Sequence, residues 1–470
     1  MTHDSDRTVG RNFLALGAGE AVARLVAFGA TVYLARTLGA GSYGVIGLAT
    51  AVLLYFTYLA DCGIETLGVR EIAADHRRVQ TLAPAVLTLR LAVAAILAVA
   101  VAVAGLLFMP QPDGAILAVY GLTLLGVAAN TRWIHIGLED ASRVALARIA
   151  GESTMVLLVV LLVRSAGDIA RVPLAQFTGD MLAMSLLAIW LRRRGVSLNL
   201  RWDWRSAGPV FHRAFPLVLH ALLGLMIYNS DLIFLRAFQT AADVGHYVAA
   251  YTLISFLLNL GIAYSQSLLP TLTRLAGEPP RQQALYQTAM AQVFAASFPL
   301  AVGGYLLAPG IIGFVFGPGY ERSVIALQIL IWTIPVAFYR NVPQMALISA
   351  GRQDRVLRIT FVSAMLNLAL NILIIPAYGM VGAAAATLGT EIVRTGLALV
   401  FARKEGFHLP RFGRLWRTLV AGGGMGLVVY LVGSRGLWPS LIAGTAAYLL
   451  LLVLVGGIRV SRGSLPALSV

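Results

Sequence analysis

The strongest constraint on the fold of this chain is a series of long apolar stretches separated by short polar breaks. Each is close to the ~20 residues that a helix needs to cross a bilayer. Because lipid cannot satisfy free backbone N–H and C=O groups, these stretches are expected to be helical. The sequence therefore predicts an all-α, polytopic integral membrane protein with about 14 transmembrane helices. We place them at residues 12–35, 45–66, 82–108, 114–137, 149–163, 172–191, 213–236, 246–269, 287–315, 323–349, 358–376, 380–402, 416–433 and 438–456.

The composition agrees with lipid as the main solvent. Of the 470 residues, 59% are hydrophobic and 12% are charged, whereas soluble domains contain about 45–50% apolar and ~25% charged residues. The single cysteine, Cys62, excludes an intrachain disulfide framework and a cysteine metal cluster. The sequence lacks the HExxH and GxxxxGK[ST] motifs, and its outside loops are too short for a catalytic domain. We expect no resident cofactor or metal and no enzymatic activity.

One short motif, GAGSYG at residues 39–44, has the G-x-G-x-x-G spacing of dinucleotide-binding turns. Such a turn follows a strand, whereas this one follows an apolar stretch. Glu65 has the spacing of a ribose-binding acid, but it falls at the far end of the next predicted helix, ~30 Å away. We therefore interpret the glycines as a tight turn between the first two helices.

The basic residues define an orientation in the membrane. With the N-terminus in the cytoplasm, the cytoplasmic segments hold 25 arginine and lysine residues and the outside loops hold 6. Because basic residues in short loops favour the cytoplasmic side, we expect both termini to be cytoplasmic. No basic, aromatic-rich soluble domain accompanies them, so the net charge of +15 does not indicate a nucleic-acid partner.

The chain divides into two halves that resemble each other. The segment LARTLGAGSYGVIGLATAVLLYF (34–56) can be laid over LRAFQTAADVGHYVAAYTLISFL (235–257). Internal repeats with a substrate site between them are common in secondary transporters. The sequence predicts an N-terminal six-helix lobe at 1–191, a cytoplasmic linker at 192–212, a C-terminal six-helix lobe at 213–402, and an extra two-helix hairpin with a cytoplasmic tail at 403–470.

Several charged side chains fall inside the predicted spans, where a charge costs ~2.5–3.5 kcal/mol. We interpret the arginines as the lining of a cavity for an anionic substrate, because guanidinium groups bind phosphate through paired hydrogen bonds. The candidate substrate-binding residues are Arg24, Arg90, Arg340, Arg394, Asn341 and Gln344. The candidates for charge balance, or for carrying a coupling H⁺ or Na⁺, are Glu20, Asp180 and Glu391.

Structural roles stay open for many of these side chains. One alternative is that two acid–arginine pairs are structural ion pairs, whose role is to permit insertion of these helices into the membrane. These pairs are Glu20–Arg24 and Glu391–Arg394. Other side chains can be interfacial, packing or helix-joining groups: Arg90, Arg132, His135, His220, Asp231, Asn367 and Asn371.

Three segments resemble a known family. They are YLARTLGAGSYGVIGLATAVLLYFTYLADCGIETLGVREIA (33–73), RWIHIGLEDASRVALARIAGE (132–152) and ISAGRQDRVLRITFVSAMLNLALNILIIPAYGMVGAAAATLGTE (348–391). They resemble the bacterial polysaccharide-transport, or O-antigen, flippases of the multidrug/oligosaccharidyl-lipid/polysaccharide (MOP) exporter superfamily. The resemblance covers most of residues 12–402, and it implies two MATE-like six-helix lobes facing a central cavity.

The resemblance also implies a function. Such flippases move undecaprenyl-diphosphate-linked oligosaccharide units to the outer leaflet of the bacterial cytoplasmic (inner) membrane by alternating access, for O-antigen, capsule or exopolysaccharide synthesis. Polysaccharide polymerase and chain-length machinery are the implied partners. Related peptidoglycan lipid flippases carry an Arg-Asp pair where this chain has Ala30 and Thr31, which argues against that cargo. The alternative is a cation-coupled drug or small-molecule antiporter of the same superfamily, which the in-span acids keep open.

Overall fold

The computed structural model describes the backbone of residues 2–410, 412–459 and 467–468, and the side chains of residues 25–65, 67–410 and 415–457. Within these ranges the chain is almost entirely helical. The helices are α1 (Thr2–Asp61), α2 (Ile64–Ala74), α3 (Val79–Phe108), α4 (Asp113–Gly121), α5 (Thr123–Ala129), α6 (Arg132–Gly137), α7 (Ala141–Leu162), α8 (Arg171–Arg193), α9 (Trp204–Phe238), α10 (Ala241–Arg274), α11 (Pro279–Phe316), α12 (Ser323–Leu330), α13 (Thr333–Ser349), α14 (Gln353–Lys404), α15 (Phe412–Val432) and α16 (Leu437–Leu454).

Short 3-10 turns and one small strand pair complete the described chain. The turns are His76–Arg78, Ala166–Asp168, Leu275–Gly277 and Gly433–Arg435. The strands β1 (Ile458–Arg459) and β2 (Ala467–Leu468) pair antiparallel, with Ile458 opposite Leu468.

The described ranges contain 12 helical segments that are long and apolar enough to cross a membrane. This confirms the prediction of an all-α, multi-pass membrane protein. Two segments each combine a pair of predicted spans, namely α1 and the 52-residue α14. A continuous α14 would measure ~78 Å, far more than the ~30 Å hydrocarbon core of a bilayer. The count of fourteen spans stays a prediction.

Both of these long helices are interrupted by a glycine in a backbone conformation that disfavours other residues. Gly39 breaks α1 at φ 72° and Gly379 breaks α14 at φ 53°, a region that glycine adopts without steric penalty. Helix therefore lies on both sides of Gly39 in the GAGSYG segment. Since a dinucleotide-binding turn needs a preceding strand, the structure agrees with the interpretation of GAGSYG as a break between helices.

The chain separates into two compact units, a first unit of residues 1–225 and a second unit of residues 226–470. In the first unit α7 packs against α8 and α1, and in the second α13 packs against α14 and α10. The sequence-based domain boundaries, with the linker at 192–212, stay a prediction.

The C-terminal helices α15 and α16 pack as a hairpin against α11. Their shared core consists of buried residues from all three helices: Leu307, Ala421, Met425, Val429, Tyr448 and Leu452. The Tyr448 hydroxyl also donates a hydrogen bond to the carbonyl oxygen of Ala295 at 2.6 Å. The hairpin is therefore held to α11 by apolar packing and by the buried hydrogen bond from Tyr448.

The turn between α7 and α8 is organised by Asp168. Its carboxylate accepts hydrogen bonds from the backbone N–H groups of Arg164 at 3.1 Å and Ser165 at 3.0 Å. The Ser165 hydroxyl and the Arg171 guanidinium also contact it. These interactions, led by the hydrogen bond from Arg164, hold the pKa of Asp168 below its usual value. The ionised carboxylate thus fixes the point at which α8 begins.

Two glycines allow α7 and α8 to approach each other closely. A Cβ atom on Gly179 would lie 2.5 Å from the carbonyl oxygen of Gly151 and 2.9 Å from the Cβ of Met155. Small residues at such crossings let membrane helices pack backbone to backbone. The contact fixes the spacing of the helices that carry Glu152 and Asp180.

We expect Gly179→Ala to lower the free energy of unfolding by about 1–3 kcal/mol, because overpacking forces the two backbones apart. Gly396→Ala in α14 is the matched control, since a Cβ there would meet no atom within 4 Å and alanine favours a helix over glycine by about 1 kcal/mol. Thermal unfolding of the purified protein in detergent micelles measures both variants. Equal unfolding temperatures for the two variants would contradict the close contact.

Candidate functional site

The structure places the predicted site residues in both units. Those in the first unit are Arg90 on α3 and Asp180 on α8. Those in the second unit are Arg340, Asn341 and Gln344 on α13, and Glu391 and Arg394 on α14. The side chains of the remaining two candidates, Glu20 and Arg24, lie outside the described residues.

Four of the candidates in the second unit meet in one group. Arg340 and Gln344 are four residues apart on α13, and Glu391 and Arg394 are three residues apart on α14, so each pair shares a helix face. Tyr228 of α9 joins them. We call these five residues the arginine cluster.

Glu391 is the centre of the arginine cluster, and its side chain is completely buried. Its Oε2 atom lies 3.1 Å from Nε of Arg340. Its Oε1 atom lies 3.2 Å from Nη1 of Arg394 and accepts a hydrogen bond from the Tyr228 hydroxyl at 2.7 Å. A buried carboxylate needs such partners, because its desolvation is otherwise uncompensated.

The two guanidinium groups have further partners inside the cluster. Nη1 of Arg340 donates to Oε1 of Gln344 at 2.6 Å, and its Nη2 donates to the Tyr228 hydroxyl at 3.4 Å. Nη1 of Arg394 donates to the same hydroxyl at 3.2 Å, with its guanidinium carbon 5.9 Å from the ring centre. Two guanidiniums and one carboxylate leave a net charge of one positive unit. The cluster is therefore suited to an anion rather than to a cation.

The arginine cluster differs from the sequence-based candidates at two residues, Asn341 and Tyr228. Asn341 is buried, but it makes no hydrogen bond to the arginine cluster within the described ranges, because it lies ~100° around α13 from Arg340. Tyr228 was missed, because a tyrosine in an apolar span has no distinctive pattern. The available signal was the polar run YNSD, residues 228–231, inside an otherwise apolar helix.

A second buried polar group surrounds Asp231 of α9. Its carboxylate accepts hydrogen bonds from the Tyr247 hydroxyl of α10, from the Thr387 hydroxyl of α14 at 3.4 Å, and from the backbone N–H of Leu232 at 2.9 Å. It has no basic side chain within 4 Å among the described residues. Asp231 is fully buried, so it lies in the interior of the second unit and not at an exposed interface.

An asparagine network lies on the same helices. Nδ2 of Asn371 donates to Oδ1 of Asn367 and to the Ser230 hydroxyl, both at 3.0 Å. Nδ2 of Asn367 donates to the Thr390 hydroxyl at 3.3 Å. These bonds join α9 to both segments of α14, as hydrogen bonds between membrane helices commonly do.

Arg90 is held by groups of its own unit. Its Nη2 atom lies 2.9 Å from Oδ1 of Asp61 and donates to the carbonyl oxygen of Val127 at 2.8 Å. Its Nη1 atom donates to the carbonyl oxygen of Asn130 at 3.1 Å. These carbonyls lie at the break between α5 and α6, and the Val127 carbonyl also accepts a hydrogen bond from the backbone N–H of Asn130 at 3.3 Å. A substrate-binding role for Arg90 stays a prediction, and its observed contacts are structural.

Asp180 lines a cavity of about 400 Å³ within the first unit. We call this space the first-unit cavity. Its polar lining residues come from α5–α6, α7 and α8: Asn130, Arg132, Arg148, Glu152, Gln176 and Asp180. The cavity brings Asp180 together with five polar side chains that were not candidate site residues. Four of them are Asn130, Arg148, Glu152 and Gln176. The fifth is Arg132, for which the sequence analysis kept an interfacial role open.

The chain is similar to known membrane transporters. The chain is 24% identical to the putative O-antigen transporter of Escherichia coli over 396 residues, which cover 79% of this chain and 91% of that protein. It is 22% identical to the probable low-salt glycan biosynthesis flippase Agl15 of Haloferax volcanii over 383 residues, which cover 78% and 77% of the two chains.

The fold has a solved counterpart. The structure superposes on the lipid II flippase MurJ in an inward closed conformation with a TM-score of 0.78 at 12% identity, covering 94% of this chain and 98% of that one. At this identity the likeness concerns the fold, and it confirms the predicted fold class.

Family membership follows from the sequence match. The family described as "Polysaccharide biosynthesis protein" matches residues 9–276, which is more than half of the chain. The predicted resemblance to polysaccharide flippases of the MOP superfamily is thereby confirmed. The chain belongs to the polysaccharide biosynthesis protein family.

Proposed function

We propose that the protein is a flippase that moves undecaprenyl-diphosphate-linked oligosaccharide units from the inner to the outer leaflet of the cytoplasmic membrane by alternating access. Family and fold make the chain a membrane transporter rather than an enzyme. The observation that carries the substrate assignment is the arginine cluster, a buried group with excess positive charge. The products would serve O-antigen, capsule or exopolysaccharide synthesis.

The arginine cluster has the chemistry that a lipid diphosphate requires. Planar guanidiniums present paired N–H groups that match phosphate oxygens, which gives charge-assisted hydrogen bonds. Glu391 and Tyr228 hold both guanidiniums in place before the cargo arrives. Because the side chains are already ordered, binding loses little rotamer entropy.

The alternative of a cation-coupled drug antiporter is disfavoured by the same group. An organic cation entering the arginine cluster would meet two guanidiniums and only one carboxylate, and the like charges repel it. We propose a proton or sodium gradient as the drive. Glu391 is a poor carrier of either ion, because Arg340 and Arg394 already neutralise it.

Reconstituted proteoliposomes test the proposal. Fluorescently labelled undecaprenyl-diphosphate-oligosaccharide should cross the bilayer at a measurable rate, read as exposure to a membrane-impermeant reagent. Arg340→Gln and Arg394→Gln should each reduce the rate at least about tenfold, because each removes roughly 1.4 kcal/mol or more of binding to the diphosphate. Arg358→Gln is the control on α14, since Arg358 is exposed and 3.7 Å from Asp354.

Each possible result has a clear meaning. Unchanged rates in both cluster variants would exclude the arginine cluster as the substrate site. Accumulation of a fluorescent organic cation without any lipid flipping would establish the antiporter. Ionophores that collapse either the proton or the sodium gradient identify the coupling ion by the loss of flipping.

A further inference from the structure

We propose that the first-unit cavity is a saccharide-binding subsite, which holds sugar hydroxyls of the cargo through Asp180 and Gln176. The inference rests on the proposed function and assigns the glycan part of that cargo to its own group of residues. With about 400 Å³, the first-unit cavity has the size of small-molecule sites, which run from ~300 to 1,000 Å³.

Two polar side chains on α8 lack protein partners among the described residues. Gln176 and Asp180 are four residues apart, so they share one helix face, and both line the first-unit cavity. Within the part of the chain that the structure describes, neither side chain makes a hydrogen bond, and Asp180 has no ion pair within 4 Å. Inside a membrane span a carboxylate without a protein partner is typically functional. A ligand that donates hydrogen bonds to both side chains would satisfy them.

The wall of the first-unit cavity carries charges of both signs. Two guanidiniums, those of Arg132 and Arg148, face two carboxylates, those of Glu152 and Asp180. Arg148 lies 4.0 Å from Glu152, and Arg132 lies 3.4 Å from Glu65, which is not a lining residue. Among the described lining residues the two signs therefore balance, which leaves no surplus positive charge for a phosphate. A neutral ligand fits this balance best.

The lining of the first-unit cavity also combines hydrogen-bond donors and acceptors. Carboxylates only accept hydrogen bonds, guanidiniums only donate them, and the amides of Asn130 and Gln176 do both. A hydroxyl group donates one bond and accepts others, so a polyhydroxylated ring can satisfy all three kinds of group. Met155, Ala183 and Leu187 add an apolar wall for the C–H face of such a ring. This combination points to a sugar.

A binding experiment with two lipids tests the inference. The purified full-length protein in lipid nanodiscs is titrated with undecaprenyl diphosphate and with the lipid-linked oligosaccharide extracted from the cells that make the protein. We expect Asp180→Ala and Gln176→Ala each to weaken binding of the glycosylated lipid about tenfold, because each removes hydrogen bonds to a desolvated ligand. Binding of the bare lipid should not change. Thr178→Ala is the control on α8, because the exposed Thr178 hydroxyl bonds only to its own helix, at Leu174.

The outcomes separate this inference from the proposed function. Equal losses for the two lipids, or no loss for either, would overturn the subsite. If wild-type protein binds neither lipid, the proposed function fails. Binding of the free oligosaccharide, released by mild acid, then decides the subsite: binding that Asp180→Ala removes supports it, and no binding overturns it.

A proton-carrying role for Asp180 gives a different pattern. Asp180→Asn would then remove the pH dependence of flipping, while Asp180→Ala would leave the affinity for both lipids at the wild-type level. That result would overturn the saccharide subsite. Under our proposal, Asp180→Asn retains part of the affinity for the glycosylated lipid, because an amide still hydrogen-bonds to hydroxyls.

Discussion

Replacing Glu391 with alanine is expected to abolish transport and to lower the free energy of unfolding by about 3–5 kcal/mol, because two buried guanidiniums lose the carboxylate that they share. The side chains of Arg340 and Arg394 are only 7% and 8% exposed, so water cannot replace the lost partner. Thermal unfolding in micelles measures the stability, and lipid flipping in proteoliposomes measures the transport.

A triple variant separates the two effects. Arg340→Met, Glu391→Leu and Arg394→Met together remove every charge of the arginine cluster, and an apolar replacement of a buried ionic triad is often neutral or stabilising. We expect this variant to recover the stability that Glu391→Ala loses, while transport remains absent. Transport at the wild-type rate by the triple variant would show that the cargo does not bind at the arginine cluster.

Replacing Arg90 with methionine is expected to destabilise the first unit by about 3 kcal/mol, because a buried ion pair is broken and two carbonyls lose the hydrogen bond from the guanidinium. Those carbonyls belong to Val127 and Asn130, and the abandoned carboxylate belongs to Asp61. The loss of stability should exceed any loss of transport per folded molecule. Thermal unfolding and flipping rates normalised to the folded fraction provide the two measurements.

The matched control for Arg90→Met is Arg281→Met. Arg281 also forms an ion pair, with Glu278 at 2.7 Å, but the two side chains are 76% and 51% exposed. Exposed pairs contribute no more than about 1 kcal/mol, so the control should unfold near the wild-type temperature. If Arg90→Met unfolds at the wild-type temperature but fails to transport, the result would show instead that Arg90 contacts the cargo.

The helical membrane fold could be predicted because it depends on local properties of the sequence. The length of an apolar stretch decides whether it can span a bilayer, and this placed α3, α8 and α16 close to their observed positions. The pair Glu391–Arg394 could be recognised from its spacing alone, because residues three apart share a helix face.

The partners of these residues could not be predicted, because they come from distant parts of the chain. Tyr228 reaches Glu391 across 163 residues, and Tyr247 reaches Asp231 from the next helix. No local pattern encodes such a contact, since it depends on how α9, α10 and α14 rotate against each other. For the same reason Asp180 was a candidate site residue, but its neighbours Gln176 and Glu152 in the first-unit cavity were not.

The net positive charge of the arginine cluster makes its movement sensitive to the membrane voltage. Under the proposed function, the empty site carries one positive charge, and a bound diphosphate, with a charge of about −2 because phosphate diesters stay ionised, reverses its sign. The free energy of an elementary charge changes by about 2.3 kcal/mol when it crosses a membrane potential of 100 mV. With the cell interior negative, the voltage therefore pushes the loaded site outward and draws the empty site back, so both halves of the cycle favour export.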